Sequence, residues 1–226
     1  MYRELFDPVN QDMMTNYFAE ILAPRGLIKS FKKNTLIDPL DAEHVYIVLS
    51  GECRQGLVSM DGCERTFFRL TRGTIFGEMD YFDGDRTCEI TYVTQKSEIS
   101  IVPKAVLEAA LEENPKIYRY FIHSITRKYR LLMLQIADAR FNDSIGIIAS
   151  ALLRIGSMQE GYDLLGRTVI EHQYTHEELA NNFGLSRPTV TSSLCYMRDK
   201  GLISIEDRHI VIEKVEEIRV LMNPYW

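Results

Sequence analysis

Cysteine is scarce in this chain and poorly placed for metal chemistry. Cys53, Cys63, Cys88 and Cys195 are the only four in 226 residues. None sits in a C-x-x-C pair or at a spacing typical of a zinc or iron–sulfur site. They are expected as reduced thiols that behave as small hydrophobes in a reducing compartment, with a redox pair among Cys53, Cys63 and Cys88 as the alternative. Histidine is equally thin. Only His44 falls in the first hundred residues, so that half has no cluster of histidines and carboxylates for a catalytic metal. His44 and His123 read as ordinary strand-edge and helix residues rather than haem ligands, and no cofactor is expected. No apolar run approaches the roughly 18 residues of a membrane span, and the opening "MYRELFDPVNQD" lacks a charged start followed by an apolar stretch. A soluble, cytoplasmic protein without membrane contact is the expectation. Net positive charge is missing too: the formal charge is −6, and all of it falls in residues 1–112. A strongly basic nucleic-acid footprint is thereby excluded, while the balanced second half permits contact with a polyanion.

A hydrophobic content of 46% in a chain of this length is enough for a sizeable core. From about Leu27 to Val102 the pattern is of short β-rich runs, "HVYIVLSGECRQGLVSM", "RTFFRLTRG", "CEITYVT" and "SEISIVP", with turn residues between them, which points to a sandwich or barrel. Asp61-Gly62 marks a hairpin, because such residues tolerate the backbone of a tight turn; Gly51 and Gly73 fit neighbouring turns or bulges. After Pro103 the pattern turns helical. Tyr118, Ile122, Ile125, Tyr129, Leu132, Ile136 and Ala139 recur in alternating steps of four and three, which is a heptad seam. A long helix packing on its own copy in a homodimer is the expectation, and a helix packed on its own β-domain is the alternative.

From Asn142 the chain reads as helices followed by a small hairpin. "FNDSIGIIASALLRIGS" is an amphipathic helix opened by Asn142 or Asp143, and "TVIEHQY" is a short strand. In "THEELANNFGLSRPTVTSSLCYMRDKGLI", Thr175 and Glu178 have capping-box spacing, Gly184 supplies a left-handed stop, and Ser186 caps a second helix with Pro188 in its first turn. Leu179, Ala180, Phe183, Val190, Leu194 and Met197 supply the facing apolar sides. This leaves Arg187, Thr189, Thr191 and Ser192 at the exposed N-terminal end of the second helix, where a recognition helix presents its base-reading side chains. Beyond it, "LISIEDRHIVIE" reads as two strands around Asp207-Arg208, a wing that would bring Arg208 and His209 near phosphates. Only Arg187, Arg198 and Lys200 are basic between residues 172 and 205, so non-specific affinity is expected to be modest and salt-sensitive.

With a β-rich half, a seam helix and a winged helix in this order, the sequence resembles the CRP/FNR family of bacterial transcription regulators along essentially its whole length. The resemblance implies an α+β architecture: an N-terminal double-stranded β-helix (jelly-roll) sensor over 1–112, a dimerisation helix over 113–141, and a C-terminal winged helix-turn-helix over 142–226. It also implies a homodimer that responds to a small-molecule effector, binds a double-stranded DNA operator of palindromic form, and meets RNA polymerase. Carried over from that family, "FGEMDYFDGDRT" would place Glu78, after Gly77, on a ribose hydroxyl, and Arg86 with Thr87 on a phosphate. The alternative is an internal Glu78–Arg86 ion pair that fixes the loop. Leu132 and Met133 stand where the cyclic-AMP receptor offers hydroxyls to adenine. With Tyr129 they suit an apolar or aromatic effector at least as well as a cyclic nucleotide, and with Arg86 the expectation is a small organic anion, aromatic ligands included, beside the cyclic-nucleotide alternative. At the DNA end the resemblance makes Arg187 the main base contact, with Thr175 and Ser186 at the helix caps. Pro188 and Ser192 replace an acidic residue and an arginine of the cyclic-AMP receptor, which implies a different operator. A cupin-like metalloenzyme is the competing class, and His44 alone gives it little to work with.

Overall fold

A computed structural model describes residues 7–37, 43–84, 88–158 and 167–223. The chain forms two compact units, one spanning Asp7–Arg130 and the other comprising the chain from Leu131 onward.

The first unit opens with α1 (Pro8–Asn16), capped by Asp7, whose carboxylate accepts from the Asn10 N–H at 3.0 Å. Then follow β1 (Leu27–Phe31), β2 (Leu36–Ile37), β3 (His44–Val58), β4 (Glu64–Leu70), β5 (Ile75–Phe76), α2 (Glu78–Asp83), β6 (Ile90–Pro103), α3 (Lys104–Glu113) and the start of α4 (Tyr118–Phe141). The strands make a six-stranded antiparallel sheet in the order β1-β6-β3-β4, with β2 added to β6 and β5 to β3. The expected hairpin is present: Ser59 to Cys63 join β3 to β4, and Gly62 takes φ +82° there.

"CEITYVT" and "SEISIVP" are one continuous strand, β6, rather than two. The polar residues between them do not form a turn, because they pair with the bulged middle of β3. Gly51 lies at that bulge with φ +77°, and a Cβ there would lie 2.3 Å from the Lys96 carbonyl oxygen. The kink lets one long strand bend and bury residues on both faces. Phe18, Leu22, Val45, Ile47, Ile75, Val102, Leu107 and Phe121 close the core beneath it.

All four cysteines are free thiols. Cys53 is fully buried in β3, and burial pushes its pKa up to about 11, while Cys63 and Cys88 are exposed. Iodoacetamide at pH 7 should therefore label Cys63 and Cys88 in the native protein and spare Cys53 until the chain unfolds. Equal labelling of all three by peptide mass mapping would contradict this.

In the second unit the C-terminal part of α4 packs with α5 (Ser144–Ser157), α6 (His176–Phe183), α7 (Arg187–Asp199) and α8 (Val215–Arg219). A three-stranded sheet joins them, in which β9 (His209–Ile212) lies between β7 (Thr168–Val169) and β8 (Ile203–Glu206). Asp143 is the residue that caps α5, accepting from the Gly146 N–H at 2.8 Å. Asn142 instead accepts from the Asn223 N–H at 2.7 Å, tying the chain beyond α8 to the end of α4. Beneath them Arg154 and Asp138 form a buried ion pair at 2.8 Å, the kind in which removing either partner leaves an uncompensated charge.

Candidate nucleic-acid interface and sensor site

Both arms of the capping box at the start of α6 are made. The Thr175 hydroxyl accepts from the Glu178 N–H at 3.1 Å, and the Glu178 carboxylate accepts from the Thr175 N–H at 2.7 Å. Gly184 ends the helix at φ +66°, and its N–H and that of Leu185 both return to the Ala180 carbonyl oxygen. Ser186 then caps α7, with Pro188 in the first turn. The expected apolar residues Leu179, Ala180, Phe183, Val190, Leu194 and Met197 are all buried between the two helices and their neighbours.

This packing leaves Arg187, Pro188 and Ser192 exposed, with Thr189 and Thr191 half-buried. The Arg187 guanidinium has no hydrogen bond or ion pair among the described residues, so it can engage an outside acceptor without breaking an internal contact. The hydroxyls are less free than the sequence implied. Thr191 donates to the Arg187 carbonyl oxygen at 3.0 Å and shares a 2.8 Å contact with His176 Nδ1, while Ser192 donates to the Thr189 carbonyl oxygen at 3.0 Å. Thr189 shares a 2.7 Å contact with the Ser186 hydroxyl. Thr191 and Ser192, having given up their protons, offer a partner acceptor lone pairs, which suits base amino groups.

The wing is a two-residue hairpin. Glu206 pairs with His209, and Asp207 and Arg208 between them take φ +46° and +69°, as a type I′ turn requires. Arg208 is exposed at the tip. Sequence reasoning missed what braces this tip. Gln173 Nε2 donates to the Asp207 carbonyl oxygen at 3.2 Å and lies 3.1 Å from His209 Nε2, while His209 Nδ1 meets the Ile170 carbonyl oxygen at 2.9 Å. Arg167 bridges Glu206 and Glu213 at the base of the wing. Tyr196, 40% exposed, follows Ser192 by one turn of α7 and shares its face.

Glu178 has its carboxyl pKa lowered from 4.5 to about 2, first by the His172 imidazole 3.9 Å away and then by its hydrogen bonds with Thr175. A depressed carboxylate stabilises the fold fully above its unfolded value, and that contribution is lost as pH falls from about 4.5 towards 2. Melting curves across this window should show the wild type losing more stability than Glu178→Gln. Parallel losses would show that the carboxylate carries none of the acid sensitivity.

At the sensor, Gly77 takes φ +80° and starts α2, and a Cβ there would come within 3.1 Å of both the His44 carbonyl oxygen and the Tyr46 ring. Glu78 follows, 1% exposed, and its carboxylate pairs with Lys128 Nζ at 2.5 Å. Arg86 and Thr87, expected at an effector phosphate, lie outside the described residues, as does any Glu78–Arg86 pairing. Tyr129 is 62% exposed and Met133 53%, while Leu132 is half-buried. Leu132 and Met133 belong to the second compact unit. Glu78 and Gly77 are thus brought together with Lys128, a residue no sequence motif marked. Near them Glu89 has its pKa raised, first by burial, with Lys128 opposing and Glu78 and Asp80 reinforcing the shift. Among the described residues no group of three or more histidines, cysteines or carboxylates is arranged to hold a metal ion.

Comparison with known proteins bears on both sites. Residues 29–114 match the family described as a cyclic nucleotide-binding domain, and residues 148–221 match a Crp-like helix-turn-helix domain. A Mycobacterium tuberculosis protein named CRP-like cAMP-activated global transcriptional regulator is 29% identical, with 88% of this chain and 97% of that protein covered. The anaerobic regulatory protein of Bacillus subtilis is 25% identical, over 94% of this chain and 90% of its own. In fold, FixK2 from Bradyrhizobium japonicum superposes with a TM-score of 0.75 at 18% identity, covering 89% of this chain and 99% of that one.

Proposed function

The chain belongs to the CRP/FNR family of effector-responsive, DNA-binding transcription regulators, a family of regulators rather than enzymes, and from that premise we propose that it acts as a homodimer reading a palindromic operator with α7. The observation that carries this reading is the N-terminal end of α7. There Arg187 stands exposed with its guanidinium unengaged among the described residues, on a helix whose start is fixed by Gly184 and Ser186. Arginine reads guanine by a bidentate pair, and Ser192 and Thr191 have acceptor lone pairs for neighbouring base amino groups. Thr175, Ser186 and Pro188 set the position of the two helix N-termini, whose N–H groups suit phosphates. Arg208 on the wing adds a sequence-independent phosphate contact.

Dimerisation through α4 is supported by an unpaired apolar stripe. Tyr118, Ile122, Ile125, Tyr129, Met133 and Ile136 are between 37% and 70% exposed in the single chain, more contiguous apolar surface than a monomer ordinarily leaves to water. The effector is a small molecule received around Gly77, Glu78, Arg86 and Thr87, with Tyr129 on the long helix. The sequence favours an organic anion there; a cyclic nucleotide, after the name of the M. tuberculosis relative, is the second reading. RNA polymerase is the further partner, and the cytoplasm the place of action. No helix among the described residues is long and apolar enough to cross a membrane.

Selection of bound duplexes from a random library tests the reading. It should return an inverted repeat whose half-sites lie about one helical turn apart. Recovery of no sequence preference would contradict it.

A further inference from the structure

The ammonium of Lys128 sits in a complete set of acceptors. Nζ lies 2.5 Å from Glu78 Oε1, 2.9 Å from the Ile75 carbonyl oxygen and 3.5 Å from Gln55 Oε1. A lysine ammonium has three N–H donors, and these acceptors take all of them. The Phe68 ring lies under the same charge, 5.6 Å from Nζ to its centroid. The lining is built into the fold rather than gathered on the surface: Glu78 is 1% and Gln55 4% exposed, and the Lys128 side chain 14%. The four contacts come from β3, β4, β5 and the first residue of α2. One side chain from α4 therefore fastens that helix to four elements of the sensor. The surrounding charge favours a cation as well, since Glu89 feels Glu78 and Asp80 as like charges and Lys128 as the opposing one.

We infer that the Glu78 end of the sensor is a recognition site for a primary ammonium group, filled in this state by Lys128 of the same chain. This rests on reading the Gly77–Glu78 region as the effector site, and it narrows the ligand class. A ribose hydroxyl has to evict a buried cation from a buried carboxylate, leaving both ions short of partners. A ligand carrying its own primary ammonium replaces the charge and the three hydrogen bonds like for like. The effector class this implies is one that carries a primary ammonium group. Until it arrives, Lys128 occupies the ligand's place and holds α4 against the sensor.

Replacing Lys128 with alanine removes three methylenes and an ammonium, the atoms of n-propylammonium. The full-length Lys128→Ala protein, titrated by calorimetry and by thermal unfolding, should bind n-propylammonium saturably and melt higher with it. The wild type, whose site is filled, should respond only at much higher amine concentration, because the amine must first displace Lys128, and uncharged n-propanol should have no effect on either. Adding Glu78→Gln should weaken the amine about tenfold or more, because its charged hydrogen bond is gone. Equal responses of wild type and variant, or equal binding of propanol, would overturn the inference. If Lys128→Ala does not fold, Lys128→Met keeps the stem without the charge, and Glu78→Gln should then recover stability by removing the stranded carboxylate; no recovery overturns it. Operator titrations of Lys128→Ala with and without the amine separate the two readings. Amine binding that leaves operator affinity unchanged keeps the ammonium site and removes the effector role of this region.

Discussion

Ile136→Glu is expected to yield a monomer that no longer binds the operator at concentrations where the wild type is saturated. Ile136 is 70% exposed, so the glutamate costs the protomer little. In a two-fold dimer the same residue comes from both helices and meets its own copy or near neighbours at the seam. Each protomer then brings a carboxylate into an apolar interface without a cation, a penalty of several kcal/mol per ion. A monomer also forgoes the advantage of holding two half-sites at once, which for tethered modules is worth a factor of about 10² to 10⁴ in affinity. Sedimentation equilibrium should show half the wild-type mass with unchanged circular dichroism, and gel-shift titration should show the matching fall in affinity. A variant that stays dimeric would place the interface elsewhere than on the α4 stripe.

Arg187→Ala should cost about 1–3 kcal/mol at each half-site and relax the preference at one guanine there. The fold should be untouched, since the guanidinium makes no hydrogen bond or ion pair among the described residues that its removal would break. Arg208→Ala is the control. It should weaken operator and random DNA alike and lower the slope of log affinity against log salt by about one for each phosphate that is no longer neutralised. Equal reductions on operator and random DNA for Arg187→Ala would make α7 a phosphate-binding helix instead.

The parts of this molecule that sequence made legible are those set by neighbours in the chain. Thr175 with Glu178, Gly184, Ser186 and Asp207-Arg208 each act within one turn, so their spacing alone announces helix start, reversal, second start and wing. Thr191 donating to the Arg187 carbonyl oxygen is local as well, and the habit of hydroxyls to bond one helical turn back was the signal that Thr191 and Ser192 were partly engaged. What was hidden depends on distant segments meeting. Lys128 reaches Glu78 across 50 residues and Arg154 reaches Asp138 across 16, and no periodicity marks either pair. The fusion of two expected strands into β6 was invisible for the same reason: the polar residues between them look like a turn until the Gly51 bulge of β3 is placed opposite. Sequence could set Asn142 and Asp143 only as equal candidates for one cap, because the partner that claims Asn142 is the backbone of Asn223.

The account stands on a two-fold dimer placing two copies of α7 on one face of the duplex, and changing the distance between the half-sites tests it most directly. Inserting five base pairs at the centre of the selected operator turns one half-site about half a helical turn away from the other. Fluorescence anisotropy at fixed salt should then show affinity falling to the level of a single half-site, with about ten inserted base pairs recovering part of it. Undiminished affinity for the five-base-pair insertion would contradict the account.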